Sequence, residues 1–131
     1  MKTETTWKGE LLFETTQGNV GSVTMDGNRT SGMSPKALLL AGLSGCSAVD
    51  VVEILHKMRV PFESLTVSAA ADQTEEHPRV FTDISLVYRV KTSPEHQEKV
   101  VKAIELSLEK YCGVAAMLRK NSAIHYELEL L

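Results

Sequence analysis

Ser34-Pro35-Lys36-Ala37-Leu38-Leu39-Leu40-Ala41-Gly42-Leu43-Ser44-Gly45-Cys46-Ser47-Ala48-Val49-Asp50-Val51-Val52-Glu53-Ile54-Leu55-His56-Lys57-Met58 predicts one long helix, apolar on nearly every side. Ser34 suits the N-cap and Pro35 the first helical position, where a missing N–H costs nothing. Only a narrow polar edge interrupts the apolar residues, and a helix of that kind is normally buried. Lys36, Asp50, Glu53, His56 and Lys57 break the run too often for a membrane span. The middle, Ala41 to Ala48, is built of small residues. Glycine inside a helix costs about 1 kcal/mol relative to alanine, so Gly42 and Gly45 predict the close approach of another backbone. Cys46 sits at that narrow point.

On the N-terminal side, Thr3 to Met25 alternates in short polar and apolar runs, with turn residues at Gly9-Glu10 and Gln17-Gly18-Asn19. This predicts a three-stranded antiparallel meander. Trp7, the only tryptophan, is expected to be a packing anchor. Asp26 to Met33 reads as a loop that delivers Arg29 just upstream of the helix. On the C-terminal side, Val60-Pro61 forces a stop. Two long strands follow, Glu63 to Gln73 and Val80 to Lys91, the second with a slip in phase near Asp83 that marks a bulge. The turn between them, Thr74 to Arg79, is charged. Ser93 and Pro94 open a second helix, whose apolar face carries Val100, Val101, Ile104, Leu106, Leu108 and Tyr111. Cys112-Gly113 breaks or bends it, Val114 to Lys120 resumes it, and Ala123 to Leu130 closes the chain as a strand in period-two alternation.

The 131 residues amount to a single domain, 1–131, of ordinary apolar content. A net charge of -3 with no basic stripe argues against a nucleic-acid partner. No apolar segment with a basic lead stands at the N-terminus, so a cytoplasmic location, away from membranes, is the expectation. In a reducing compartment two cysteines are more often catalytic, redox-sensing or metal-binding than a permanent disulfide. Two unrelated buried thiols remain the plain alternative. Cys46 and Cys112 lack partners at zinc-like spacing, and His56, His77, His96 and His125 are dispersed.

Asp50 and Glu53 fall four and seven residues after Cys46, along the same helix face. Carboxylates beside a thiol disfavour its thiolate, so a reactive Cys46 needs an offsetting cation. Arg29 is the nearest candidate in sequence, with Asp50 available to hold it; an exposed, merely solvated arginine is the other reading. Cys112 stands where one helix gives way to the next, and a helix N-terminus favours a thiolate. A reactive cysteine attacks a hydroperoxide to become a sulfenic acid, which a second thiol converts to a disulfide. Apolar surroundings at Cys46 suit an organic hydroperoxide.

The segment Ser34 to Cys46 with Asp50-Val51-Val52, and the segment Ser107-Leu108-Glu109-Lys110-Tyr111-Cys112-Gly113-Val114, resemble the two cysteine motifs of the OsmC/Ohr family, in its OsmC-like branch. Glu76-His77-Pro78 and Phe81-Thr82 match as well. The resemblance runs nearly end to end. It implies an α+β, OsmC-like fold with antiparallel sheets, a long buried cysteine helix and an intertwined homodimer. In peroxidase members of the family the first cysteine, here Cys46, attacks the hydroperoxide and the second, here Cys112, resolves it. Reducing power comes from dithiols, including lipoylated proteins, and no cofactor or metal is used. Three positions depart from that pattern: Lys36 and Ala37 stand where a glutamate is usual, no arginine precedes Arg29, and Gly113 replaces a frequent proline. Two functions are therefore carried forward: a thiol-dependent reductase of organic hydroperoxides, and a non-catalytic dimer binding a small apolar ligand in a cleft around Cys46.

Overall fold

The computed structural model describes all 131 residues, which form two compact units, Met1–Leu39 and Leu40–Leu131. In the first unit β1 (Glu4–Gly9), β2 (Leu12–Gln17) and β3 (Gly21–Asp26) pair antiparallel in the order β1-β2-β3, as the alternation predicts. The β1–β2 turn puts Gly9 at φ 111° and Glu10 at φ 48°, the first of which only glycine adopts readily. Trp7 is no packing anchor. It is 65% exposed, and its indole Nε1 donates to the Glu10 carbonyl at 2.9 Å, so it serves the turn.

The loop after β3 is organised by Asp26. Its carboxylate accepts the main-chain N–H groups of Asn28 (2.8 Å), Thr30 (3.3 Å) and Ser31 (3.0 Å), and the Thr30 hydroxyl (2.9 Å). The bonds from Ser31 and Asn28 hold this carboxyl below its ordinary range. Gly32 closes the loop because a Cβ there would meet the Thr24 carbonyl oxygen at 2.8 Å. Arg29 lies on the loop, exposed, at φ 58°.

The long helix, α1 (Pro35–Lys57), starts in the first unit, where the Ser34 hydroxyl accepts the Ala37 N–H at 3.3 Å, and runs on into the second. Its end is set one step earlier than the Pro61 restriction requires. Arg59 adopts φ 57°, Val60 N–H reaches Leu55 O and Arg59 N–H reaches His56 O, the paired bonds of a Schellman stop. Leu55 and Val60 are both buried beside it.

The second unit continues with β4 (Ser64–Gln73), β5 (Phe81–Lys91), a short turn at Pro94–His96, α2 (Gln97–Leu106), a π-turn at Ser107–Tyr111, α3 (Gly113–Arg119) and β6 (Ala123–Leu130). Ser93 precedes the turn without a side-chain cap. The sheet order is β4-β5-β6. β4 and β5 are antiparallel, whereas β6 returns through the helices and pairs parallel to β5, as a helical crossover dictates. The phase slip near Asp83 is the expected bulge: Ala71 faces Ile84 and Gln73 faces Phe81, so Thr82 and Asp83 together oppose one residue. Beyond it Ile84, Leu86, Tyr88 and Val90 all point inward.

The core joins these β5 residues to Val100, Ala103 and Ile104 of α2, to Leu108 of the π-turn and to Leu43, Val51 and Leu55 of α1. By length and composition α1 is long and apolar enough to cross a membrane, and one stripe of it packs into the core. The expectation that it is covered on nearly every side holds for one stripe only. Leu43, Ser47, Val51 and Leu55, four apart, are buried; Leu39, Gly42, Gly45 and Val49 are exposed. A Cβ at Gly42 or Gly45 would meet nothing within 4 Å, so no backbone of this chain makes the close approach expected there.

Leu43 is fully buried at the centre of the shared core, and truncation leaves a cavity under a rigid helix. Leu43→Ala is expected to lower unfolding stability by about 2–5 kcal/mol, read as a shifted midpoint at unchanged slope in urea.

Candidate functional site

The two cysteines arrive from different elements. Cys46 follows Gly45 on α1, at the edge of the buried stripe; it is half-buried and packs against the core that contains Cys112. Cys112 is delivered by the π-turn. Its N–H donates to the Ser107 carbonyl at 2.7 Å, a bond spanning five residues rather than four. The extra residue in that turn leaves Tyr111, expected on the apolar face, 54% exposed, with Lys110 Nζ 5.3 Å over its ring. It brings Cys112 round to the buried side instead. There Cys112 caps α3, its Sγ accepting the Ala115 N–H at 3.3 Å and its carbonyl the Ala116 N–H at 3.1 Å. Arg119 of α3 donates to the Leu108 carbonyl at 2.6 Å, tying the helix back onto the turn.

Between α1, β5 and the π-turn runs a buried chain of hydroxyls. Tyr88 OH lies 2.6 Å from Ser47 Oγ, Ser47 Oγ lies 2.8 Å from Ser107 Oγ, and Ser107 Oγ donates to Asp50 Oδ2 at 3.0 Å. A carboxylate only accepts. Ser107 therefore spends its proton on Asp50, Ser47 donates to Ser107, and Tyr88 donates to Ser47, all three dipoles aligned toward Asp50. Tyr88, Ser47 and Ser107 are fully buried, and burial pushes the Tyr88 phenol up to about 12. The nearby Cys112 contributes to the same rise.

The structure thus brings Cys46, Cys112 and Asp50 into one region, with Ser107 as the partner that Asp50 holds. Glu53 is exposed, one turn further along α1. Asp50, Glu53, Lys57, Leu106 and Tyr111 rim a cleft of about 330 Å³ floored by Ile54 and Met58. Neither cysteine lines it, so the cleft begins a turn beyond Cys46 rather than around it. Arg29 belongs to the first unit. The histidines serve local roles: His56 stacks on Phe62 at 5.7 Å, and His125 Nε2 lies 3.3 Å from Asp83. No three His, Cys, Asp or Glu side chains converge as metal ligands would.

Ser47, Ser107 and Tyr88 are not among the site residues that the sequence suggests, although it carries a signal for them. Each is a polar residue on an otherwise apolar inward stripe: Ser47 between Leu43 and Val51, Ser107 after Val100, Ala103 and Ile104, Tyr88 between Leu86 and Val90. A polar side chain on such a stripe needs a buried partner.

The helix start at Cys112 does not yield a ready thiolate. Burial is the largest influence and, with the adjacent Cys46 thiol, pushes Cys112 up to about 11; the Ala115 N–H opposes this and loses. The folded state thus favours the protonated thiol. The stability this contributes is complete below the ordinary value of 9.0 and is lost as pH rises from there through about 11. In a Cys46→Ser variant, iodoacetamide labelling of Cys112 followed by mass spectrometry is expected to stay slow at pH 9 in the folded protein and to accelerate toward pH 11. Burial is the larger cause and survives the substitution. A half-point at or below pH 9 would contradict this geometry.

Comparison with known proteins agrees with this architecture. The OsmC-like protein family matches residues 26–127. Protein YhfA of Escherichia coli K12 is 36% identical over 132 residues, spanning 100% of this chain and 98% of that protein. Among solved structures, a hypothetical protein from Aquifex aeolicus VF5 superposes with a TM-score of 0.83 at 28% identity, over 99% of this chain and 96% of its own. The organic hydroperoxide resistance protein OhrB of Bacillus subtilis shares the fold at a TM-score of 0.66 and 16% identity, over 98% of each chain. With both cysteines on the elements described above and the family match covering most of its length, this chain belongs to the OsmC-like protein family.

Proposed function

We propose that the protein is a thiol-dependent peroxidase in which Cys46 reduces an organic hydroperoxide and Cys112 resolves the product. The observation that carries this reading is the pairing of two free thiols, one half-exposed and one buried, close enough for the first to influence the second. Cys46, the more exposed of the two thiols, meets the peroxide. Its thiol sulfur attacks the distal peroxide oxygen, the O–O bond breaks, and the alkoxide leaves with the thiol proton as an alcohol, giving Cys46 sulfenic acid. Cys112 sulfur then attacks the sulfenic sulfur; hydroxide leaves, takes the Cys112 proton and departs as water, closing Cys46–Cys112. The peroxide gains two electrons and the thiol pair loses two. A dithiol reductant, such as a lipoylated protein, restores both thiols by exchange. The raised Cys112 value slows the second step near neutral pH, because the thiolate is the attacking form.

Part-buried Leu40 and exposed Val49, within two turns of Cys46 on α1, favour a peroxide with a hydrocarbon tail. The hydroperoxide-resistance name of the Bacillus subtilis relative points the same way. Two free thiols fit a reducing cytoplasm. The cleft at Asp50 and Tyr111 supports the second reading, a ligand-binding protein whose thiols are incidental.

A thiol titration separates the two. Reduced protein mixed anaerobically with one equivalent of cumene hydroperoxide is expected to lose both thiols rapidly. The Cys112→Ser variant should accumulate a trappable sulfenic acid at Cys46, with hydrogen peroxide reacting more slowly. Slow, equal oxidation of both cysteines by either oxidant would leave the ligand-binding reading.

The proposal extends to a homodimer. Leu39, Gly42, Gly45 and Val49 form an exposed strip on α1, with Val49 59% exposed, and Trp7, Val20 and Val23 stand exposed on the first unit. A second α1 packed on the glycines would supply the close approach that this chain lacks. The sign of one substitution decides. In a monomer Gly45→Ala should stabilise the helix by up to about 1 kcal/mol. In the dimer it should destabilise, with a dissociation constant that rises in analytical ultracentrifugation.

A further inference from the structure

Ser107 is attached to both cysteine segments at once. Its side chain is bonded to Ser47, the residue after Cys46, at 2.8 Å, and to Asp50 of the same helix at 3.0 Å. Its carbonyl accepts the Cys112 N–H at 2.7 Å. The route from one cysteine to the other is thus Cys46, Ser47 Oγ, Ser107 Oγ, Ser107 carbonyl, Cys112. Every noncovalent link is a hydrogen bond of 2.8 Å or less. Tyr88 OH, 2.6 Å from Ser47 Oγ, ties this route to the rigid strand β5.

We propose that Ser107, with Ser47 and Tyr88, is the positioning device that fixes the Cys112 backbone against Cys46 and so sets how readily the pair closes to a disulfide. None of the three touches the peroxide; they act through the cysteines. Disulfide geometry tolerates little error, with Cα atoms usually 4.4–6.8 Å apart. Holding both partners near that geometry before reaction raises their effective concentration. The π-turn is what makes this possible. Its five-residue bond turns the Ser107 carbonyl onto the Cys112 N–H while the Ser107 side chain faces α1. A regular helix would pass the same N–H to Leu108, whose carbonyl Arg119 holds instead at 2.6 Å. The Ser47 hydroxyl has no other partner: its bonds run to Tyr88 and to Ser107.

This inference rests on the pairing of Cys46 with Cys112 proposed above, but not on the peroxide step, and the test keeps them apart. The parent, Ser107→Ala, Ser107→Thr and Tyr88→Phe proteins are equilibrated in glutathione redox buffers, and the Cys46–Cys112 disulfide is counted by acid quench, alkylation and mass spectrometry. Ser107→Ala is expected to shift the equilibrium roughly tenfold toward the dithiol, the loss of one or two buried bonds. Tyr88→Phe should shift it in the same direction by less, and Ser107→Thr, which keeps the hydroxyl, should stay near the parent. Sulfenic acid formation at Cys46, followed in the Cys112→Ser background with and without Ser107→Ala, should be equally fast. Unchanged equilibria in both Ser107→Ala and Tyr88→Phe, or a parent that forms no Cys46–Cys112 disulfide, would overturn the positioning role. Absence of sulfenic acid at Cys46 would overturn the peroxidase reading alone. If Ser107→Ala does not fold, Tyr88→Phe, which removes one oxygen and no volume of packing, decides.

Discussion

A hydroxyl taken out of water must be bonded again inside the protein, and an unpaired one costs about 1–3 kcal/mol. Three such groups, Tyr88, Ser47 and Ser107, are buried at the junction of α1, β5 and the π-turn, and they satisfy one another in a single file that ends on Asp50. No buried side-chain nitrogen or oxygen is left without a partner. Hydrophobic contact is non-directional: it favours burial of the Leu43, Val51 and Leu55 stripe without specifying hydrogen-bond partners. The hydrogen-bonded file specifies the partners, because displacing Ser47 leaves both its own hydroxyl and that of Tyr88 unbonded in a buried site. The position of Cys46 along the sheet follows from it.

The same junction explains the contrasting states of the two cysteines. Cys46 lies one residue before Ser47 and so faces sideways, half-exposed, when Ser47 points inward. Cys112 lies five residues after Ser107 and is carried inward by the π-turn. Around Cys112 a helix start and a buried environment compete. The Ala115 N–H at 3.3 Å stabilises a thiolate, yet withdrawal from water outweighs it, and the thiol keeps its proton. One thiol is thus partly open to solvent and the other withdrawn from it, in a chain that belongs to the OsmC-like protein family.

Much of this was readable from residue order. Period-two alternation located β4, β5 and β6, and a slip of one residue at Asp83 located the bulge. Ser34-Pro35 opened α1 where capping chemistry places it. Other features resisted, each for a physical reason. A single tryptophan predicts a packing anchor because large aromatics usually are, whereas a local hydrogen bond to Glu10 holds Trp7 on the turn. A period of 3.6 residues per turn puts Tyr111 on the apolar face, and the π-turn breaks that period. The expected cleft around Cys46 lies a turn further on, where Leu106 and Tyr111 diverge from α1.

By itself the sequence determined the elements, their order, the family resemblance and the two residues able to do thiol chemistry, because capping, periodicity and cysteine identity are local properties. Tertiary structure decided what those cysteines are. That Cys112 is held protonated, that Ser107 belongs to both cysteine segments, and that Gly42 and Gly45 face open space in this chain depend on which surfaces meet. No local rule fixes that, since burial and hydrogen-bond partnership are properties of pairs of segments distant in the chain.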